Sequence, residues 1–204
     1  PGPIGDKTKV IRDNSHKTGT GQIQLVEFGD FQCPACGAAY PNISRLMKDY
    51  NGKITMYFRN FPLVNLHPNA MAGANAAEAA GDQGKFWEMY DKLYQNQSAW
   101  SALSDPTDMF VSYAKSLGLD TAKFSSAINS KQFQSLIDQD MADGNALGVN
   151  ATPTLYFNGV NYDGKSTYYE LKAKVDRLLS SSAAPPGPNT PPPAPYTPRP
   201  TPPA

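Results

Sequence analysis

The spacing of apolar residues changes several times along the chain, and each change marks an element. Gln22–Phe28, "QIQLVEF", alternates polar and apolar and then becomes nearly all apolar. That is the pattern of a strand entering a sheet covered on both faces. The next stretch, "PACGAAYPNISRLMKDY", places Ala39, Ile43, Leu46, Met47 and Tyr50 on one stripe. It predicts a helix with one buried face and a kink near Pro41. "NGKITMYFRNFPL" gives a turn at Asn51-Gly52 and a strand over Lys53–Phe58. The unit is β-α-β, which implies parallel strands and a right-handed crossover.

From His67 to about Gly148 the period is helical. "HPNAMAGANAAEAAGDQGKFWEMYDKLYQN" is rich in Ala, Met and aromatics, and His67-Pro68 is expected to open the first of these helices. "SDPTDMFVSYAKSLG" carries a helix start at Ser104 or Asp105 with Pro106 in the first turn. "DTAKFSSAIN" and "SKQFQSLIDQDMADGNALG" predict two more. The block looks like an all-helical insertion. "TPTLYFNGVNYDG" then predicts a strand over Thr154–Phe157, an Asn158-Gly159 turn and a return strand over Val160–Tyr162. "STYYELKAKVDRLLS" closes the unit as an amphipathic helix capped at Ser166 or Thr167. The order is β-α-β, helical block, β-β-α, an α/β class with an insertion. The expected boundaries are an N-terminal extension over 1–20, a first half over 21–66, the helical insertion over 67–147, a second half over 148–180 and a tail over 181–204.

That tail, ending "PPGPNTPPPAPYTPRPTPPA", is expected to be disordered or polyproline II, because proline fixes φ and removes donors. A semi-rigid spacer and a ligand for proline-binding modules are the two roles it suits.

Composition narrows the partners. Formal net charge is zero, with 18 Lys and Arg against 18 Asp and Glu, and no basic run occurs. Nucleic acid and anionic membrane surfaces are therefore not expected. No apolar run reaches the roughly 18 residues of a membrane span. The chain opens on "PGPIGDKTK", without an initiator Met or signal peptide, and an N-terminal targeting or anchor segment outside this sequence is expected.

The two cysteines, Cys33 and Cys36, carry the candidate chemistry. They fall where a strand ends and a helix begins. Pro34 suits the first helical position, which makes Cys33 the N-cap. Its sulfur then faces unpaired N–H groups and the positive end of the helix dipole. Both favour thiolate, so its pKa is expected below the free value of about 8.5. Cys36 lies one turn further in, more buried and within disulfide reach. This makes Cys33 the nucleophile and Cys36 the resolving thiol. A zinc site needs four ligands and would have to recruit His16 and His67, or carboxylates. A purely structural disulfide would close a tiny loop with little entropic effect. Two free core thiols are the third alternative. The strand-turn-helix setting favours redox chemistry over all three. Scarcity of other thiols leans toward an oxidising compartment. No metal or cofactor is expected. His16, in a polar segment, is expected to be exposed. Phe28, Phe31, Tyr40, Phe86, Trp87 and Tyr90 are expected to pack core and interfaces.

"VEFGDFQCPACG", "YFRNFPL", "HPNAMAGANAAEAA…GKFWEMYDKLY" and "GVNATPTLYFNG", in that order, resemble DsbA-like thiol:disulfide oxidoreductases of the thioredoxin superfamily over about residues 10–180. The resemblance implies a thioredoxin fold with an all-helical domain inserted. It implies an extracytoplasmic oxidase that donates a disulfide to reduced, unfolded proteins. Such an enzyme is reoxidised by a membrane quinone-linked partner, DsbB- or VKOR-like. Some relatives are tethered by an N-terminal anchor, and a single copy is expected to act alone. Cys33 and Cys36 match the family's redox pair, and Pro34-Ala35 its intervening dipeptide. The dipeptide lacks a His, so no side chain there stabilises a thiolate and the potential is expected to be less oxidising. Thr152-Pro153 matches the loop facing the active site, with Pro153 as the family's cis proline and Thr152 backbone groups free to pair with substrate. From the residues alone Pro153 is equally a trans proline starting a strand. Glu27 matches the family's buried acid, able to exchange a proton with Cys36; otherwise it is a solvated acid at a strand end. Within the same chemistry the chain could reduce or shuffle disulfides. From another class, it could be a binding or chaperone-like module with an inert disulfide.

Overall fold

The computed structural model describes residues 6–182. In chain order its elements are α1 (Lys7–Val10), β1 (His16–Gly19), β2 (Ile23–Gly29), α2 (Pro34–Asp49) and β3 (Ile54–Asn60). Six helices follow: α3 (Ala70–Gly81), α4 (Phe86–Gln95), α5 (Gln97–Ser101), α6 (Thr107–Ser116), α7 (Thr121–Asn129) and α8 (Gln134–Ala146). β4 (Thr154–Phe157), β5 (Val160–Tyr162) and α9 (Tyr168–Ser182) complete them. The helices between β3 and β4 form one uninterrupted block, as the change of period predicts.

The sheet runs β1-β3-β2-β4-β5. β2 and β3 are parallel, while β1 on β3, β4 on β2 and β5 on β4 are antiparallel. Alternation along the strands sends side chains to two faces. Ile23 and Leu25 of β2, Met56 and Phe58 of β3 and Leu155 of β4 enter the larger core, which α2, α4 and α9 cover. Val26, Phe28 and Tyr156 enter the smaller core, with Val10 of α1 and Met141 of α8. A sheet covered on both faces explains why β2 reads almost continuously apolar.

The β4–β5 hairpin turns on Asn158 and Gly159, with φ of 51° and 80°. Two consecutive positive φ values suit Asn-Gly and match the strand twist. Asn158 also fastens the hairpin to β2, accepting from the Gln24 N–H and donating to its carbonyl, both at 2.8 Å.

Three expectations need correction. His16 is not a free surface residue: it opens β1, its ring stacks 3.6 Å from the Phe86 centroid, and Nε2 lies 2.8 Å from Glu78 Oε2. "HKTG" has no apolar alternation because it is an edge strand whose position is set by pairing to β3. The first inserted helix begins at Ala70 after Asn69, leaving His67 in the preceding turn. α9 runs to Ser182, overlapping the start of the expected tail; the rest of the tail lies outside the described residues. Among the described residues no helix is long and apolar enough to cross a membrane.

Candidate active site

β2 ends at Gly29 and α2 begins at Pro34, so residues 30–33 form the turn that presents the cysteines. Asp30 shapes it. Its Oδ1 accepts the Gln32 N–H at 2.8 Å and its Oδ2 accepts the Leu63 N–H at 3.0 Å. His67 Nδ1 lies 2.6 Å from the same Oδ2. Cys33 caps α2 in an extended conformation, with Pro34 as the first helical residue. Pro34 and Ala35 are exposed, Cys33 is only 6% exposed and Cys36 is fully buried.

The two thiols, both free, are driven apart. The Cys33 pKa is lowered to about 5, chiefly because the Cys36 thiol donates a hydrogen bond to its sulfur. Thr152, then the N–H groups of Cys36 and Ala35, contribute further lowering, against the burial that opposes it. Helix-start geometry, the cause expected from sequence, is thus the smaller part, and the sulfur makes no full capping hydrogen bond. The Cys36 pKa is raised well above that of a free thiol by burial, by donating to Cys33 and by the negative charges of Glu27 and Cys33.

Glu27 is fully buried on the sheet face that carries Phe58, its β3 partner in register. Its Oε2 accepts the Tyr90 hydroxyl at 3.0 Å, while Oε1 has no partner. Burial raises its pKa to about 7, with a contribution from Cys33, against the lowering by Tyr90. A carboxyl poised near neutrality beside a buried thiol can give or take a proton.

The opposite wall is the 150–153 loop. The Thr152–Pro153 peptide bond is cis. The Cys33 thiol donates to the Thr152 carbonyl at 3.4 Å. The Thr152 hydroxyl, buried and otherwise unpartnered, is free to donate to a thiolate. The structure therefore brings Cys33, Cys36, Glu27 and Thr152–Pro153 together, with Pro34 and Ala35 at the rim.

The thioredoxin family model matches residues 21–177. The chain belongs to the thioredoxin family. It is 32% identical over 164 residues to a probable disulfide bond formation protein D of Bacillus cereus, covering 77% of this chain and 74% of that protein. The thiol-disulfide exchange protein α-DsbA2 of Wolbachia pipientis superposes with a TM-score of 0.71 at 25% identity, covering 84% of this chain and 91% of the other. Within the family the likeness is to DsbA-type proteins. The chain is also 35% identical over 179 residues to a Na(+)/H(+) antiporter NhaA 1 of Salinispora arenicola, covering 87% of this chain but spanning 26% of that protein.

This thioredoxin-family turn is clamped by residues that no local pattern announces. Gln97 Nε2 donates to the carbonyls of Phe31 at 2.8 Å and Cys33 at 2.9 Å. Gln32 Nε2 donates to the Ser101 carbonyl at 2.8 Å, and its Oε1 accepts the Asn69 N–H at 2.6 Å. These contacts join the helical block to the turn across long sequence separations. The chance to find them lay in polar residues within apolar-rich helices, a signal too common to single them out.

Proposed function

We propose that this chain is a thiol:disulfide oxidoreductase acting as an oxidase on reduced, unfolded proteins outside the cytoplasm. The observation that carries the reading is the split between the two thiols: a Cys33 pKa near 5 beside a buried Cys36 raised well above the free value. A substrate thiolate attacks Cys33 Sγ of the Cys33–Cys36 disulfide. The S–S bond breaks, a mixed disulfide forms at Cys33, and Cys36 leaves as a thiolate. Glu27 in its acid form supplies the proton Cys36 takes up. A second substrate thiolate then attacks the substrate sulfur of the mixed disulfide, and Cys33 leaves as a stable thiolate. Two electrons pass from substrate to protein. A low-pKa leaving group speeds this direction and stabilises the reduced product.

Thr152–Pro153 supports an extended substrate segment beside Cys33, in the manner of strand addition. Next to it an uncharged groove of about 320 Å³ is lined by Leu63, Val64, Leu66 and Asn150 among others, which suits unfolded chains with apolar side chains. A membrane quinone-linked reoxidase, DsbB- or VKOR-like, would take the two electrons onward. An oxidising compartment accords with a chain whose only cysteines are the redox pair.

A glutathione redox titration coupled to refolding of a reduced substrate tests the reading. We expect an oxidising disulfide, rapid substrate oxidation, loss of activity in Cys33→Ser and trapped mixed disulfides in Cys36→Ser. A strongly reducing, inert disulfide would overturn it in favour of a binding module.

A further inference from the structure

We propose that Gln97 is a positioning residue for exchange at Cys33, holding the redox turn to the helical block through its side-chain amide. The inference deepens the reading above and rests on it. Gln97 opens α5, yet its Nε2 spends both hydrogens on the turn, on the carbonyls of Phe31 and Cys33 at 2.8 and 2.9 Å. The Cys33 carbonyl also accepts the Gly37 N–H at 3.0 Å, the first helical bond of α2. One amide therefore sets where the turn stops and the helix starts.

Gly37 is the second, independent sign. A Cβ at that position would lie 3.0 Å from Gln97 Cδ and closer still to Oε1. The backbone of α2 comes so near this amide that a Cβ at residue 37 would push the amide aside. A glycine inside a helix is intrinsically unfavourable compared with alanine, so close approach of Gln97 is the compensating feature here.

The chemical consequence follows from the dipoles. Carbonyl oxygens carry partial negative charge, and those at residues 31 and 33 flank the reacting sulfur along the chain. Satisfying both with N–H donors reduces their opposition to a negative sulfur and fixes the turn facing Thr152. Without Gln97, the turn keeps its cysteines but loses both the donors and the strut to α5. The thiolate then becomes less favoured and Cys33 a poorer leaving group.

The test follows the pH profile of Cys33 alkylation in the reduced protein, read by mass, with folding monitored by circular dichroism and melting. Gln97→Met keeps the bulk and removes the donors. We expect its profile to move to higher pH, slowing alkylation near pH 4 about threefold, since well below its pKa a thiol's ionised fraction changes tenfold per pH unit. Gln97→Glu keeps the reach but presents only acceptors, and moves it further. Gly37→Ala leaves Gln97 in place but displaces its amide, and moves it the same way. The double variant Gly37→Ala/Gln97→Met moves it no further than the larger single effect, because both act on one contact. Unchanged profiles in folded variants would overturn the proposal and leave Gln97 a packing residue; should the Gln97 variants fail to fold, Gly37→Ala alone decides. A wild type that does not exchange with glutathione would defeat the oxidoreductase reading, while the alkylation profiles would still judge Gln97.

Discussion

Two buried polar clusters flank β2 and β3, one on each face, and they are built on opposite terms. On the smaller-core side, Arg59 is fully buried, with Nε 2.6 Å from Asp140 Oδ1 and a terminal nitrogen 2.6 Å from Asp143 Oδ2. Its remaining nitrogen donates to the carbonyls of Lys9 and Val10. Arg12 makes a second ion pair with Asp143, and Asn60 bridges Asp140 and Glu78. Every carboxylate oxygen of Asp140, Asp143 and Glu78 has a partner. Burial still pushes Asp140 up, whereas for Asp143 the two arginines outweigh burial and hold it down. On the larger-core side, Glu27 has one neutral donor and one empty oxygen, and the thiols beside it have each other, Thr152 and backbone groups of Asp30, Ala35 and Cys36, with no cation among them. The ion-paired cluster, saturated at its carboxylates although Asn60 Oδ1 has no partner, fixes the N-terminal segment and α8 to the sheet. The starved one keeps two groups near neutrality or reactive, as proton and electron exchange requires.

Strand alternation separates them. In the β2–β3 register Glu27 is opposite Phe58, and Phe28 is opposite Arg59. Successive residues face opposite ways, so the acid and the cation, one rung apart, never meet. A one-residue slip would bring them to the same face. The Glu27 carboxylate would then be paired and its pKa would fall, removing the near-neutral acid on which the proposed proton transfer depends.

Removing the cation from the saturated cluster gives the largest expected effect. Arg59→Met should cost about 3–5 kcal/mol, because it strands Asp140 and buried acceptors. Denaturant unfolding checks this, and a loss below about 1 kcal/mol would erase the contrast between the clusters. Next is Glu27→Gln, which should stabilise the protein. Glu27 has a folded pKa of about 7, above its unfolded value. It therefore favours the fold at low pH, and that advantage is lost as pH rises through about 7. Relative to wild type, the Gln variant should gain nothing near pH 4 and on the order of 3 kcal/mol above pH 8, since each tenfold change in a protonation equilibrium is worth about 1.36 kcal/mol. Its exchange rate should lose the inflection near pH 7; an unchanged pH–rate profile would remove Glu27 from the proton path. Smallest is Tyr90→Phe, which takes the one donor from Glu27. About 1 kcal/mol of stability should be lost, and the Glu27 inflection should move to higher pH; a downward move would mean that Tyr90 does not hold the carboxylate.

Much of this was legible along the chain. The strand-turn-helix around Cys33, the helical block, the Asn158-Gly159 hairpin and Glu27 in β2 all come from local patterns of apolar spacing and turn chemistry. β1 was not legible, because four polar residues at a sheet edge owe their conformation to their neighbour. Nor was the role of His67, since its tie to Asp30 depends on how the β3–α3 connection folds back. The chief cause of the low Cys33 pKa was also misplaced. Helix-start position is a sequence feature, but the donated Cys36 hydrogen bond is a side-chain geometry that the spacing allows without requiring. The Arg59 and Gln97 contacts span distant elements, and residue type alone does not choose their partners.

Centrally, the fold stabilises the Cys33 thiolate, and hence the reduced protein. The most direct measurement of this is the unfolding free energy of reduced minus oxidised protein from pH 4 to 9. Cys33 has its folded pKa depressed to about 5. Its contribution is therefore absent once pH falls below that value, grows as pH rises, and is complete above the unfolded thiol's value of about 8.5. The burial part of the Glu27 contribution is common to both forms and cancels; the part due to the Cys33 charge exists only in the reduced protein and offsets some of the rise as pH approaches 7. The difference should climb by about 1.4 kcal/mol per pH unit between roughly pH 5 and 8; Cys33→Ser, which forms no disulfide, should lack the matching rise that the reduced wild type shows in its own stability. A difference that stays flat across this range would contradict thiolate stabilisation by the fold.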